Sequence, residues 1–379
     1  MSGTPKSKLQ IKDGQLYEVG EWRRDRVQNI ELPNGEKFNF TEKLGHGSFG
    51  VVYKAMATDE NGFRYVCALK CSKIHLEDFV EIREVHMMNV LRNSTIDKTN
   101  ILISDSDNIH REFLFQPFRL MQISLMDLLK TELDSMTLPI IRVILKQLFF
   151  ALSQLEIIGF IHGDIKTNNI MIVCQRNNPW YLKLIDFGMS MHGTFRRGAP
   201  QHFHLQALGY KAPEIMFLHR DFFKIDIFSL GCIMLDLLTK CTFFSPHHNC
   251  QKHVMFYIYQ LIGDVPQSCE PFCLYWFFVK DGKVPKPTSE NSQVDWRTEY
   301  CPVTFDRLRQ WCIGEEMVVE DIDQALDLVR HIITWHPQDR YTGSEALAHP
   351  FITMSHLAND TEYYNQNVMV MRQARAYDV

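Results

Sequence analysis

The spacing of apolar residues changes period part-way along the chain. From Asn39 to about Met121 short β-rich runs dominate. Val51–Ala55 and Tyr65–Lys70 are two of them, separated by the turn cluster Thr58–Gly62. One helix interrupts them, over about Leu76 to Leu91, where Val80, Val85, Met88 and Leu91 recur at near-helical intervals. Beyond Ser124 the period lengthens. It predicts helices over Leu125–Leu129, Leu138–Ile158, Ile225–Leu238, His253–Ile262, Asp321–Thr334 and Gly343–Ala348. The second begins beside Pro139, a favoured first-turn residue, and Gly159 closes it. Upstream, Gln15–Phe40 alternates in short stretches around the turn signal Pro33-Asn34-Gly35, which predicts a strand pair.

The pattern implies an α+β organisation in which a small β-rich part precedes a larger helical part. A disordered arm over 1–13 and extension strands over 14–39 precede a small β-rich lobe with one main helix over 40–121. A larger, mostly helical lobe follows over 122–352, with an insert at about 242–319, and then a tail over 353–379. No internal repeat is visible.

Composition narrows the class. The formal net charge of −5 gives no broad positive field, so direct nucleic-acid binding is not expected. No uninterrupted run of about 18 apolar residues predicts a membrane span. The first twelve residues are polar and lack the apolar run of a secretory signal, so the expectation is a nuclear or cytoplasmic protein. The 10 cysteines are scattered and read as reduced thiols. Cys241, His247, His248, Cys250 and His253 are close enough in sequence to suggest zinc. Their spacing matches no common finger pattern, and a surface loop with a helix start accounts for them.

Five motifs carry chemistry. Gly45-His46-Gly47-Ser48-Phe49-Gly50-Val51-Val52 has the G-x-G-x-x-G-x-V form. A dinucleotide-binding loop uses a similar string but opens a helix, whereas Val51–Ala55 continues as a strand. The reading is a lid over ATP phosphates, with Gly45, Gly47 and Gly50 letting backbone amides approach. Lys70 ends the next strand, and Glu84 on the following helix is its expected partner. His162-Gly163-Asp164-Ile165-Lys166-Thr167-Asn168-Asn169 places a carboxylate, a lysine and an amide on one short loop. Asp164 is read as the group that orients or accepts the substrate hydroxyl proton. Lys166 would neutralise the transferring phosphoryl group, and Asn169 would ligate Mg²⁺. Asp186-Phe187-Gly188 offers a second Mg²⁺ ligand in Asp186, and Ala212-Pro213-Glu214 follows about 25 residues later.

From Leu44 to Phe351 these motifs together resemble a eukaryotic protein kinase domain. His162–Lys166, Asn169-Ile170-Met171, the stretch His349–Leu357 and the long insert resemble the homeodomain-interacting protein kinases, a branch near the dual-specificity tyrosine-regulated kinases. The resemblance implies a bilobal kinase fold, ATP and Mg²⁺ as cofactors, protein substrates and a monomeric catalytic domain. It also implies nuclear residence and transcription-related partners. It places adenine between Val52 and Ala68 above and Met171 below. Phe118 aligns as gatekeeper, although a plain core aromatic is an equal reading, and Arg119–Met121 as the hinge. It has Asp226 brace the catalytic loop, Phe228 stand where the family has Trp, and Arg340 pair with Glu214. Lys166 resembles the Ser/Thr type.

The chain also departs from the family. Gly163 stands where many kinases carry an arginine that grips an activation-segment phosphate, an arginine the homeodomain-interacting branch also lacks. His204 stands at the branch's tyrosine. Lys211 replaces an arginine and loses its planar fork, which weakens any reading of proline-directed specificity. These departures keep a second reading open, a pseudokinase acting as a nucleotide-binding scaffold. Against it, every residue with a direct role toward ATP, Mg²⁺ or the proton is present. A small-molecule kinase fits the Ala-Pro-Glu segment and the insert less well.

Overall fold

The structure is a computed structural model. It describes residues 9–12, 15–18, 29–47, 50–74, 80–110, 112–132, 135–174, 178–193, 205–219, 222–244, 251–270, 274–285, 304–312, 318–357 and 361–375. The chain divides into two compact units. The first comprises 1–95, 102–122 and 187–189, and the second 96–101, 123–186 and 190–379.

The first unit is built on strands β1 (Leu9–Lys12), β2 (Gln15–Glu18), β3 (Asn29–Glu31), β4 (Lys37–Gly47), β5 (Gly50–Thr58), β6 (Arg64–Lys73), β7 (Asn108–His110) and β8 (Phe113–Arg119), with helix α1 (Val80–Asn93). Residues 9–12 fall inside the segment read as a disordered arm. They instead pair antiparallel with Gln15–Glu18, as the alternation Leu9-Gln10-Ile11-Lys12 permits. The remaining strands form one sheet in the order β3-β4-β5-β6-β8-β7.

Period two sorts the side chains of this sheet. Val51, Tyr53, Ala55, Cys67, Leu69, Cys71, Phe113 and Phe115 make its core with Phe38. The residues between them point to the opposite face. There the antiparallel register sets Val52 against Lys70 and Ala68 against Phe118. The expected start of α1 at about Leu76 lies outside the described residues, which resume at Val80 within the helix.

The second unit carries strands β9 (Ile123–Ser124), β10 (Phe160–Ile161), β11 (Ile170–Cys174), β12 (Asn178–Leu184) and β13 (Met191–His192). Its helices are α2 (Leu125–Glu132), α3 (Leu138–Ile157), α4 (Pro213–Met216), α5 (Ile225–Thr239), α6 (Gln251–Ile262), α7 (Tyr275–Phe278), α8 (Phe305–Cys312), α9 (Val319–Ile332), α10 (Gly343–Ala348), α11 (Pro350–Thr353) and α12 (Glu362–Arg375).

Helix α3 is long and apolar enough to cross a bilayer, by length and composition, yet 67% of its most apolar window is buried. Its hydropathy serves the core, where Ile141, Ile144, Leu148, Leu152 and Leu155 pack. Helix α5 is buried along its whole length. The insert holds α6, α7 and α8. His247, His248 and Cys250 of the Cys/His cluster lie outside the described residues.

Glu362–Arg375 of the tail form a helix. Helix α12 docks on α3 and β12 through a network around the fully buried Arg142. The Arg142 guanidinium donates to the Phe351 carbonyl at 2.5 Å, to Asn367 Oδ1 and to Asp321, and lies over the Phe351 ring. Asp321 also accepts the Tyr363 hydroxyl at 2.6 Å and meets His356 Nε2 at 2.8 Å. A buried ion of this kind persists because each guanidinium nitrogen finds an acceptor.

Candidate active site

In the first unit the sheet face opposite the core gathers Val52, Ala68, Lys70 and Phe118. Helix α1 supplies Glu84, whose two oxygens lie 2.7 and 2.8 Å from Lys70 Nζ. Glu84 is 1% exposed and the lysine side chain 11%. A bidentate partner is what lets a lysine sit there without a large desolvation penalty.

The β4–β5 hairpin sets Gly45 opposite Val52 and Gly47 opposite Gly50. Its tip, Ser48 and Phe49, lies outside the described residues. Gly50 has φ +155, and a Cβ there would meet the Cys71 carbonyl oxygen at 2.5 Å, so β5 can start beside β6 only with glycine. Met121, two residues past the end of β8, is half-buried.

In the second unit the catalytic-loop motif runs from β10 to β11. Asp226, in the first turn of α5, accepts the backbone N–H groups of His162 at 2.6 Å and Gly163 at 2.9 Å. Burial pushes the Asp226 carboxyl upward, against those two bonds and the neighbouring His162. His162 Nδ1 accepts the Asp164 N–H at 3.2 Å, so its Nε2–H donates to the Ile185 carbonyl at 3.0 Å. This buried imidazole ties the loop to the residue preceding Asp186.

Asp164 Oδ2 receives Lys166 Nζ at 2.6 Å and Asn169 Nδ2 at 2.9 Å. Asn169 Nδ2 also donates to the Asp164 carbonyl, and the Asn169 carbonyl accepts the Ile185 N–H at 2.9 Å. Asp186 sits at φ 65, a left-handed conformation rare for a residue with a side chain and frequent at functional sites. Met171 lies on β11, half-buried, opposite Lys183 and Ser124.

Thus Asp164, Lys166 and Asn169 are in direct contact, and Asp186 joins them through Ile185. Glu214 and Arg340, expected from sequence to pair, do so at 2.6 and 3.0 Å with both side chains fully buried. The guanidinium lies 5.0 Å over the ring of Phe228.

Two groups near this loop carry no motif. Gln206, at φ 60, anchors residues 205–212. Asp236 of α5 accepts the Phe243 N–H at 2.7 Å and the Tyr210 hydroxyl at 3.2 Å, and that hydroxyl also meets Thr167 Oγ1 at 3.3 Å. The sequence signal for it was an aspartate within the apolar run Cys232–Leu238 of α5.

Burial pushes the Asp236 carboxyl up to about 8. The folded state therefore holds a proton that the unfolded chain releases near pH 4. Stability from this site is complete below that pH and is lost as pH rises toward 8. The wild type should lose roughly 1–2 kcal/mol more than Asp236→Asn between pH 6 and 8. Denaturant melts of both proteins at the two pH values measure it, and parallel curves would exclude the effect.

The Protein kinase domain family matches residues 38–352. The chain belongs to the protein kinase domain family. Its α+β fold, with a curled-sheet unit and a helical unit, is that of the family. This kinase domain is 28% identical to Homeodomain-interacting protein kinase 1 of Caenorhabditis elegans, over 94% of the chain and 45% of that protein. It is 28% identical to Homeodomain-interacting protein kinase 2 of Mus musculus, over 84% of the chain and 28% of that protein. It is 26% identical to Homeodomain-interacting protein kinase 4 of Homo sapiens, over 87% and 57%. The kinase domain thus spans between 28% and 57% of the length of these relatives, and its resemblance to that branch holds across most of the chain.

Proposed function

We propose that this kinase domain transfers the γ-phosphoryl group of ATP to Ser or Thr hydroxyls of protein substrates. The observation that carries the reading is the Asp164–Lys166–Asn169 cluster, with all three side chains in hydrogen-bonding contact. Asp164 holds the acceptor hydroxyl in line and takes its proton. Lys166, beside it, offsets charge on the transferring group. Lys70, fixed by Glu84, presents its ammonium to the α- and β-phosphates.

The Asn169 amide nitrogen is committed to Asp164, which leaves its oxygen as the ligand atom. With the Asp186 carboxylate this is a hard-oxygen donor set, which suits Mg²⁺. Magnesium, when bound, would neutralise phosphate charge. In the first unit Val52 and Ala68, with Phe118 beside Ala68 on the same sheet face and Met121 beyond it, offer apolar surface for adenine; in the second unit Met171 offers the same. Catalysis on this reading is positioning and charge neutralisation.

The relatives are named for interaction with homeodomain proteins. Nuclear, transcription-linked protein substrates are therefore the first to try.

The test incubates the purified chain with Mg-ATP and a generic basic protein, followed by phosphoamino-acid analysis. Phosphoserine and phosphothreonine are expected. Phosphotyrosine as the main product would overturn the Ser/Thr assignment. No incorporation, with ATP still raising the melting temperature, would favour a nucleotide-binding scaffold.

A further inference from the structure

Residues 205–212 lie against the catalytic loop. The Gln206 N–H donates to the Gly163 carbonyl at 2.8 Å, and the Tyr210 hydroxyl meets Thr167 Oγ1. The segment therefore borders the loop that carries Asp164.

Gln206 is 4% exposed, and its amide is fully committed. Nε2 donates to the Ile225 carbonyl at 2.9 Å and to Ser229 Oγ at 2.6 Å, both at the start of α5. Oε1 accepts the Ala212 N–H at 3.0 Å. The Ser229 hydroxyl in turn donates a hydrogen bond to the Tyr210 carbonyl at 2.8 Å. The left-handed backbone at Gln206 is unfavourable for a residue with a side chain and persists where surroundings over-determine it. One side chain thus joins both ends of the segment to α5, and its backbone joins the segment to the catalytic loop. Each of these Gln206 bonds joins neutral groups, and none of them involves a phosphate. Gly163, at the loop position it grips, has no side chain with which to hold one.

We propose that Gln206 is a positioning residue for the protein substrate, holding segment 205–212 in its working conformation without phosphorylation. The proposal rests on the protein-kinase reading above and deepens it.

Gln206→Gly keeps the left-handed backbone at no steric cost and removes the clamp. It should raise KM for the protein substrate about tenfold, the loss of one or two buried hydrogen bonds. KM for ATP should stay unchanged. Gln206→Glu keeps the shape but has no donor until its carboxyl is protonated. Its KM for protein should rise at pH 8 and recover toward wild type at pH 5.5, a rescue that general destabilisation would not give.

Hydrogen exchange provides an arm that does not need turnover. Amides of 205–212 should be protected in the wild type before and after phosphatase treatment, and should exchange faster in Gln206→Gly while those of α5 stay protected. Unchanged exchange and KM in Gln206→Gly would overturn the proposal, as would equal rises in both KM values. Loss of wild-type protection on phosphatase treatment would overturn its phosphate-free part. A wild type that transfers no phosphate would sink the kinase reading, while the exchange result still decides the clamp.

Discussion

Asp164→Asn is expected to lower kcat by about 10²–10⁴-fold while leaving KM for ATP within about twofold. The substitution keeps the shape of the side chain and removes the charge. In the native loop one oxygen of Asp164 takes hydrogen bonds from both Lys166 and Asn169, and its backbone N–H is fixed by His162. The carboxylate is therefore held in one orientation before any substrate arrives, which is what positioning an acceptor hydroxyl requires. An amide in its place can still orient a hydroxyl weakly but cannot take a proton. Stability should change little, because Asp226 anchors the loop through backbone N–H groups that the substitution does not touch. Steady-state kinetics on a Ser/Thr protein substrate, with a thermal melt as control, separate the two effects. A variant with near-native kcat would remove Asp164 from the chemistry. A tenfold rise in KM for ATP at constant kcat would reassign it to nucleotide binding.

Much of this site was legible because its residues obey local rules. Lys70 is a charged residue at a position whose neighbours Leu69 and Cys71 face the core, so period two alone puts it with Val52 and Ala68 on the other face. Helix α10 runs over the residues that its pattern predicts, because Thr342 and Glu345 form a reciprocal capping box at its start. The rest depends on contacts between residues far apart in sequence. Arg142 looks like a surface residue of an amphipathic helix. Its partners Asp321, Phe351 and Asn367 lie about 180 to 225 residues away, and without them the order of the tail helix is invisible. Gln206 carries no periodic signal, and its significance lies in a left-handed backbone and three buried bonds. His204, one of the departures from the branch, lies outside the described residues. Pattern finds side chains that face a core or end a strand. It does not find the buried polar groups that pin loops, because those are defined by where the chain returns.

The second large effect concerns such a returning contact. Glu214→Ala is expected to destabilise the domain by about 3–5 kcal/mol, measured by denaturant unfolding. Both partners are fully buried. Arg340 also donates to the Lys224 and Thr334 carbonyls, and its Nε finds no acceptor among the described residues. Removing Glu214 leaves a buried guanidinium that cannot lose its proton, facing two neutral carbonyls and the ring of Phe228. The reverse change, Arg340→Met, leaves a carboxylate, and a carboxylate can neutralise itself by taking a proton. Arg340→Met should therefore cost less near pH 5 than near pH 8. Its stability should fall as pH rises, since the folded state now holds a proton that the unfolded chain gives up. Glu214→Ala should show no such added slope. The double replacement should cost less than the sum of the two, because no charge is left unpaired. Additive losses with no pH difference between the single variants would mean that packing, not charge pairing, holds this corner of the domain.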